Sequence, residues 1–237
     1  MYGRILLKLS GEALQAKSEG GFNQEILESL AVQIKEINEL GVETAIVVGG
    51  GNIIRGKLAQ QFGIDRVQAD YMGMLATVIN ALAIQSCLEK LAVETRVLSA
   101  IAMDRICEPL IMRRAIRHLE KKRVVIFAAG TGNPYFSTDT TAVLRASEIK
   151  ADIILMAKNG VDGVYSADPR LVKDAVKYDK ISYMDIINND LQVLDATAAS
   201  MCHENALDLI IFDIAGFGNI KKAVSGVNIG TLVTREV

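Results

Sequence analysis

Several short runs of this sequence combine small residues with charge in ways that suit phosphate. In Arg4-Ile5-Leu6-Leu7-Lys8-Leu9-Ser10-Gly11-Glu12 a lysine sits inside an apolar run and a small-residue turn follows. A cation beside exposed backbone N–H groups binds oxyanions. In Val47-Val48-Gly49-Gly50-Gly51-Asn52 three glycines follow a second apolar run. Without side chains in the way, backbone donors can approach an anion closely. Two such turns in one chain point to two phosphorylated ligands meeting.

A third run is Ala129-Gly130-Thr131-Gly132-Asn133-Pro134-Tyr135-Phe136-Ser137-Thr138-Asp139-Thr140. It supplies hydroxyls, an amide and backbone donors, then a helix start whose N–H groups favour anions. A plain turn with Ser137 or Thr138 as N-cap, and Asp139 against the helix dipole, explains three of these residues and leaves the rest unused. A fourth is Lys158-Asn159-Gly160-Val161-Asp162-Gly163-Val164-Tyr165-Ser166-Ala167-Asp168-Pro169, which by itself reads as an ordinary loop with a hairpin-like bend. Lys8 could equally snorkel from a strand end, Arg55 be a solvated loop residue, and Asp70 an N-cap. Gly51 to Lys57 fits G-x4-G-K, yet Leu58 stands where the magnesium-binding hydroxyl belongs, so the match is a chance one and a P-loop fold is rejected.

Positioning these runs requires strands that end where they begin. Apolar runs predict strands over 4–9, 42–48, 94–98, 123–128, 152–156, 209–212 and 231–233. Helical spacing predicts helices over about 24–40, 70–91, 110–121, 138–149, 196–205 and 219–225, with Gly41 stopping the first. Short buried strands alternating with helices imply an α/β fold, a three-layer αβα sandwich with a mostly parallel central sheet. Ligands should gather at the carboxyl ends of its strands, where the glycine turns lie. No linker or repeat interrupts the 237 residues, so a single domain over 1–237 is expected.

Bulk composition excludes other classes. The net charge of −2 and the absence of Trp argue against nucleic-acid binding. Cys87, Cys107 and Cys202 are scattered and read as free thiols of a cytoplasmic protein, and two histidines far apart make a zinc site improbable. No signal peptide is evident, and no apolar run suggests a membrane helix.

Lys8-Leu9-Ser10-Gly11-Glu12-Ala13-Leu14, Gly49-Gly50-Gly51-Asn52, Asp70-Tyr71-Met72-Gly73-Met74-Leu75-Ala76-Thr77, Gly130-Thr131-Gly132-Asn133-Pro134-Tyr135-Phe136 and Val161–Pro169 together resemble the bacterial uridylate (UMP) kinases of the amino acid kinase family. The resemblance implies that fold, Mg²⁺ as cofactor, and transfer from ATP to UMP. Lys8, Leu9, Ser10, Gly11 and Gly51 would then line the ATP phosphates, with Arg55 bridging toward them. Asn159, Tyr165 and Asp168 would hold the nucleoside of ATP. Gly50 would face the UMP phosphate, Asp70 the ribose, and Thr131, Gly132, Asn133, Pro134, Tyr135, Phe136, Ser137 and Thr138 would wrap UMP. Asp139 and Asp195 would belong to the polar or metal shell, Asp139 within the catalytic group. A homohexamer activated by GTP and inhibited by UTP is implied as well, with Lys17–Phe22 loosely resembling a regulatory loop. One departure stands out. Many family members read Thr-Lys-Val-Asp-Gly where this chain has Asn159-Gly160-Val161-Asp162-Gly163, so the lysine is Lys158, two positions earlier.

Rival readings are a same-fold kinase acting on carbamate or an amino-acid carboxylate, and a non-catalytic nucleotide-binding storage protein. Asp70 and the long 130–138 loop oppose the first; Lys8 and Arg55 oppose the second.

Overall fold

A computed structural model of the chain describes residues 1–15, 21–54, 62–169, 171–172 and 174–237. Arg55, the G-x4-G-K segment beyond Ile54, and most of the loop 17–22 lie outside the described residues.

Strands β1 (Arg4–Leu9), β2 (Glu43–Val48), β3 (Thr95–Ser99), β4 (Glu108–Pro109), β5 (Val124–Ala128), β6 (Ile153–Lys158), β9 (Lys180–Ser182), β10 (Leu209–Asp213) and β11 (Thr231–Thr234) form one sheet, in the order β4-β3-β5-β2-β1-β6-β10-β11-β9. All pairs are parallel except β10 with β11. The central strands are buried on both faces, which is why they read as continuous apolar runs. A separate antiparallel pair, β7 (Val164–Tyr165) with β8 (Lys177–Tyr178), forms where the Asp-Gly and Asp-Pro turn signals of 158–169 suggested a hairpin-like bend.

Helices α1 (Gln24–Glu39), α2 (Arg66–Lys90) and α7 (Asn219–Val224) share one apolar cluster on one face of the sheet. Helices α3 (Met112–Glu120), α4 (Thr138–Ile149), α5 (Tyr183–Asn188) and α6 (Ala196–Asn205) share the cluster on the other. The three-layer reading therefore holds. Local rules set the helix starts: Asn23, Asp65, Ser137, Ser182 and Asp195 each accept a hydrogen bond from an N–H of the first turn.

Three expectations need correction. α2 begins at Arg66, capped by Asp65, so Asp70 lies within the helix and is not its N-cap. Strands β4 and β9 and helix α5 are too short to leave a period in the sequence. By length and composition α2 is long and apolar enough to cross a membrane, which the sequence pattern did not suggest. One side of it instead packs into the core through Met74, Val78, Ala81, Ile84 and Leu88.

Candidate active site

Neighbouring strands β5-β2-β1-β6 all run the same way, so their carboxyl ends line one edge of the sheet in that order. The four polar runs are the exits of these four strands. The two phosphate-type turns, from β2 and β1, occupy the middle. The 129–137 loop from β5 flanks them on one side, and the 159–163 loop from β6 on the other.

The middle turns touch. A Cβ on Gly11 would stand 2.7 Å from Gly51 N and 2.8 Å from Gly49 O, so only glycine permits this approach. Likewise a Cβ on Gly50 would meet Ala76 Cβ and Gly73 O of α2, each at 2.8 Å. The β2 turn is thereby pressed onto α2 on one side and onto the β1 turn on the other.

Strand periodicity aims the cations. On β1, Lys8 is in phase with Leu6, and on β6, Lys158 is in phase with Ile154 and Met156, all on the face covered by α4. Asp139, in the first turn of α4, is ion-paired with Lys8, and its second oxygen lies 3.7 Å from the Lys158 ammonium. At that distance the second contact is Coulombic and not a hydrogen bond. Lys8 is only 5% exposed. Burial would raise the Asp139 pKa, but the two ammonium groups outweigh it and hold the carboxyl below its ordinary value. Lys158 shifts down, first through burial and then through repulsion from Lys8, with Asp139 pulling the other way. Two lysines against one carboxylate leave surplus positive charge in a sheltered place, which suits a polyanion.

The start of α4 is itself held. Ser137 Oγ donates to Asp195, and so does Thr140 Oγ1, at 3.2 Å. Asp195 also caps α6 by accepting from Ala198 N at 2.9 Å. Asp195 thus clamps two helix ends together, one of which carries Asp139.

Toward β5, a cleft is lined by Gly50, Gly51, Asp70, Thr77, Gly130, Thr131, Phe136 and Thr138, among others. Asp70 accepts from Tyr135 N at 2.7 Å and from Arg66 Nε at 3.0 Å. The Arg66 guanidinium lies 5.5 Å from the Tyr135 ring centroid. These contacts fold the 130–136 loop back over α2. A carboxylate offers about four acceptor sites, so Asp70 retains capacity for a ligand hydroxyl. Gly132, Asn133, Pro134 and Tyr135 lie in the same loop but outside the cleft wall, and Ser137 turns toward Asp195. On the β6 side, Asn159 is exposed, and the Tyr165 hydroxyl donates to Asp162, which pairs with Lys177 at 2.9 Å. Asp168 sits farther along this segment, while Leu9 is a fully buried strand residue whose contribution to a ligand would be through its backbone.

The sequence pattern left the role of Lys158 open and passed over Asn80. Lys158 was legible as a lysine in strand phase with Ile154 and Met156; a shift of two positions keeps the same face. Asn80 was legible as an amide in the middle of an apolar helix, where a polar group must be paired.

The amino acid kinase family profile matches residues 3–213. The chain belongs to the amino acid kinase family. Among solved structures it is similar to UMP kinase from Bacillus anthracis, with 40% identity over 100% of this chain and 97% of that one and a TM-score of 0.97. It is also similar to UMP kinase from Ureaplasma parvum, with 40% identity, 99% of both chains covered and a TM-score of 0.94. Uridylate kinase from Archaeoglobus fulgidus is more distant: 31% identity, 97% of this chain and 99% of that one covered, and a TM-score of 0.75. The family's mixed α/β architecture is the one described above.

Proposed function

We propose that this member of the family is a nucleoside monophosphate kinase that transfers the γ-phosphoryl group of ATP to UMP, giving ADP and UDP for pyrimidine nucleotide synthesis. One observation carries the reading. Two phosphate-type turns lie in contact at the middle of a sheet edge, each flanked outward by a polar loop suited to a nucleoside. Full-length likeness to UMP kinases selects the acceptor.

A UMP phosphate oxygen would attack the γ-phosphorus as the bond to the β–γ bridging oxygen breaks and ADP leaves. The acceptor's second pKa is about 6, so near pH 7 it is largely dianionic and needs no general base. The obstacle is repulsion between two polyanions, and catalysis is then positioning and charge neutralisation. Lys8 and Lys158 would neutralise, while Asp139 would keep both ammonium groups aimed. Ser10, Gly11 and Gly51 would supply backbone donors to ATP, with Leu9 behind them, Arg55 bridging, and Asn159, Tyr165 and Asp168 around its nucleoside. Gly50, Asp70 and Thr131–Thr138 would hold UMP.

Among the described residues no group of three His, Cys, Asp or Glu side chains could cage a metal. Asp139 is committed to lysines and Asp195 to helix ends. That donor set fits an Mg²⁺ that arrives on the ATP phosphates, with Asp139 or Asp195 reached through water. Bound there, the ion would offset charge on the transferring group.

The same proposal includes one catalytic domain over 1–237, a cytoplasmic enzyme acting off membranes and nucleic acid, and a homohexamer activated by GTP and inhibited by UTP. Tyr71, Met72, Leu75 and Ile79 leave one face of α2 apolar and exposed, which supports assembly through that helix.

A coupled assay with UMP, CMP, AMP and carbamate as acceptors tests the reading. UDP formation should dominate; equal rates with carbamate, or no transfer at all, would defeat it. Asp70→Asn should raise the KM for UMP and leave that for ATP unchanged.

A further inference from the structure

We infer that Asn80, buried in the middle of α2, is a positioning residue that holds the Gly49–Gly51 turn, and through Asn52 the Ser10–Gly11 turn, in the spacing that transfer needs. This rests on the kinase reading above. Asn80 is 0% exposed, on an otherwise apolar stretch of helix. Its Nδ2 donates to Gly49 O at 2.6 Å and to Asn52 Oδ1 at 2.7 Å, and its Oδ1 accepts from Asn52 Nδ2 at 3.0 Å. The two carboxamides therefore face each other reciprocally, and neither leaves its neighbour unsatisfied. Asn52 in turn reaches the other turn: its Oδ1 lies 2.6 Å from where a Cβ on Gly11 would be.

Stability alone does not explain an amide pair in this place. Burying amides costs desolvation that their mutual hydrogen bonds only repay, and two apolar groups of the same shape would pack as well or better. An apolar pair cannot fix a peptide's direction. The carbonyl of Gly49 and the N–H of Gly50 belong to one planar trans unit and point opposite ways. Anchoring that carbonyl on Asn80 sets the direction of the Gly50 N–H, a backbone donor in the cleft wall. Asn80 also ties the turn to the helix that bears Asp70, four residues beyond its start, and that bonds the β5 exit through Thr77 Oγ1 to Ala129 N at 2.9 Å. Both sides of the acceptor site are thus referenced to one rigid element.

The test compares the parent with Asn80→Leu and the double variant Asn52→Leu/Asn80→Leu, reading kcat with ATP and UMP, calorimetric affinity for UMP and ADP, and melting temperature. A displacement of the phosphate turns by about 1 Å costs on the order of 10²-fold in rate, so kcat should fall that far in the single variant. The single variant should also melt lower, because Asn52 and Gly49 O lose a partner. The double variant should regain part of the melting temperature, since only Gly49 O still lacks its partner, and bind ADP near parent affinity, yet stay slow. Should the single variant fail to fold, the double variant still decides. Recovery of kcat together with melting temperature, or a single variant as fast as the parent, would overturn the Asn80 role and leave the kinase reading intact. A parent that forms no UDP would overturn both.

Discussion

Strand β1 carries a cation near each end, and each pairs with a carboxylate shared by a second cation. At the amino end, Glu43 lies between Arg4, at 2.7 Å, and Lys122, at 3.3 Å. At the carboxyl end, Asp139 lies between Lys8 and Lys158. The charge count is identical, but the surroundings differ. Arg4 also donates to Ile149 O at 2.6 Å, and Lys122 to Gly41 O at 3.0 Å, so protein acceptors absorb the surplus donors. Among the described residues, Asp139 is the only carboxylate paired with Lys8 or Lys158. The amino-end cluster is a staple joining β1, β2 and the α4 terminus. The carboxyl-end cluster leaves ammonium donors without such backbone acceptors among the described residues, and the proposed mechanism would use them on an incoming anion. On the proposed mechanism, the two clusters differ in what they leave unsatisfied, not in the charges that compose them.

The sharpest way to break this contrast is Lys8→Ala. Neutralising groups in phosphoryl transfer are worth about 10³–10⁵ in rate, so kcat should fall on the order of 10²-fold or more while the fold survives. Near-parent turnover would reduce the cluster to a second staple. Lys158→Ala should lower kcat by a smaller factor, since Lys8 is the closer partner of Asp139. Because burial holds the Lys158 pKa below the ordinary lysine value, its charge is lost earlier as pH rises. The parent's kcat should therefore decline on the alkaline side before about pH 10.4, where an unperturbed lysine titrates, and Lys158→Arg should move that limb upward. A pH–rate profile unchanged in Lys158→Arg would separate Lys158 from catalysis.

Asp139→Asn leaves two sheltered ammonium groups without a counter-charge, and removal of one partner of a buried pair costs about 3 kcal/mol. Its pKa is lowered in the folded state, so the stability it contributes is present above the ordinary carboxylate range. That contribution is lost as pH falls through the lowered value. Denaturant titrations at several acidic pH values should show the parent losing stability and Asp139→Asn, already weaker, losing less. The smallest effect belongs to the staple. Glu43→Gln should cost about 1 kcal/mol or less and leave kcat alone, because its partners keep backbone acceptors. A large rate loss there would erase the distinction between the two ends.

Much of this organisation follows from local rules that need no neighbours. Continuous apolar runs announce buried parallel strands, small residues announce the turns after them, and Ser137 before Thr140 announces a helix cap. Lys8 and the Gly49–Gly51 turn were legible as candidates for phosphate contact for the same reason: their chemistry is written in residue type and immediate sequence. Lys158 was harder, since its meaning depends on strand phase and on α4 lying over that face. Asp70 was placed at a helix start because the strongly apolar run begins at Tyr71, while the residues before it carry no such run; Asp65 holds that position in fact.

Tertiary structure alone decided the sheet order. Nothing local in β2 or β5 says that they become neighbours, or that β1 comes to lie between β2 and β6, because pairing partners are chosen by crossovers and by which faces the helices can cover. That order puts Lys8 and Lys158 beside one Asp139, and sets Asn80 beneath a turn 28 residues before it at Asn52. Sequence specified which groups could carry charge or donate hydrogen bonds; packing of α2 and α4 against opposite faces of one sheet decided which of them meet.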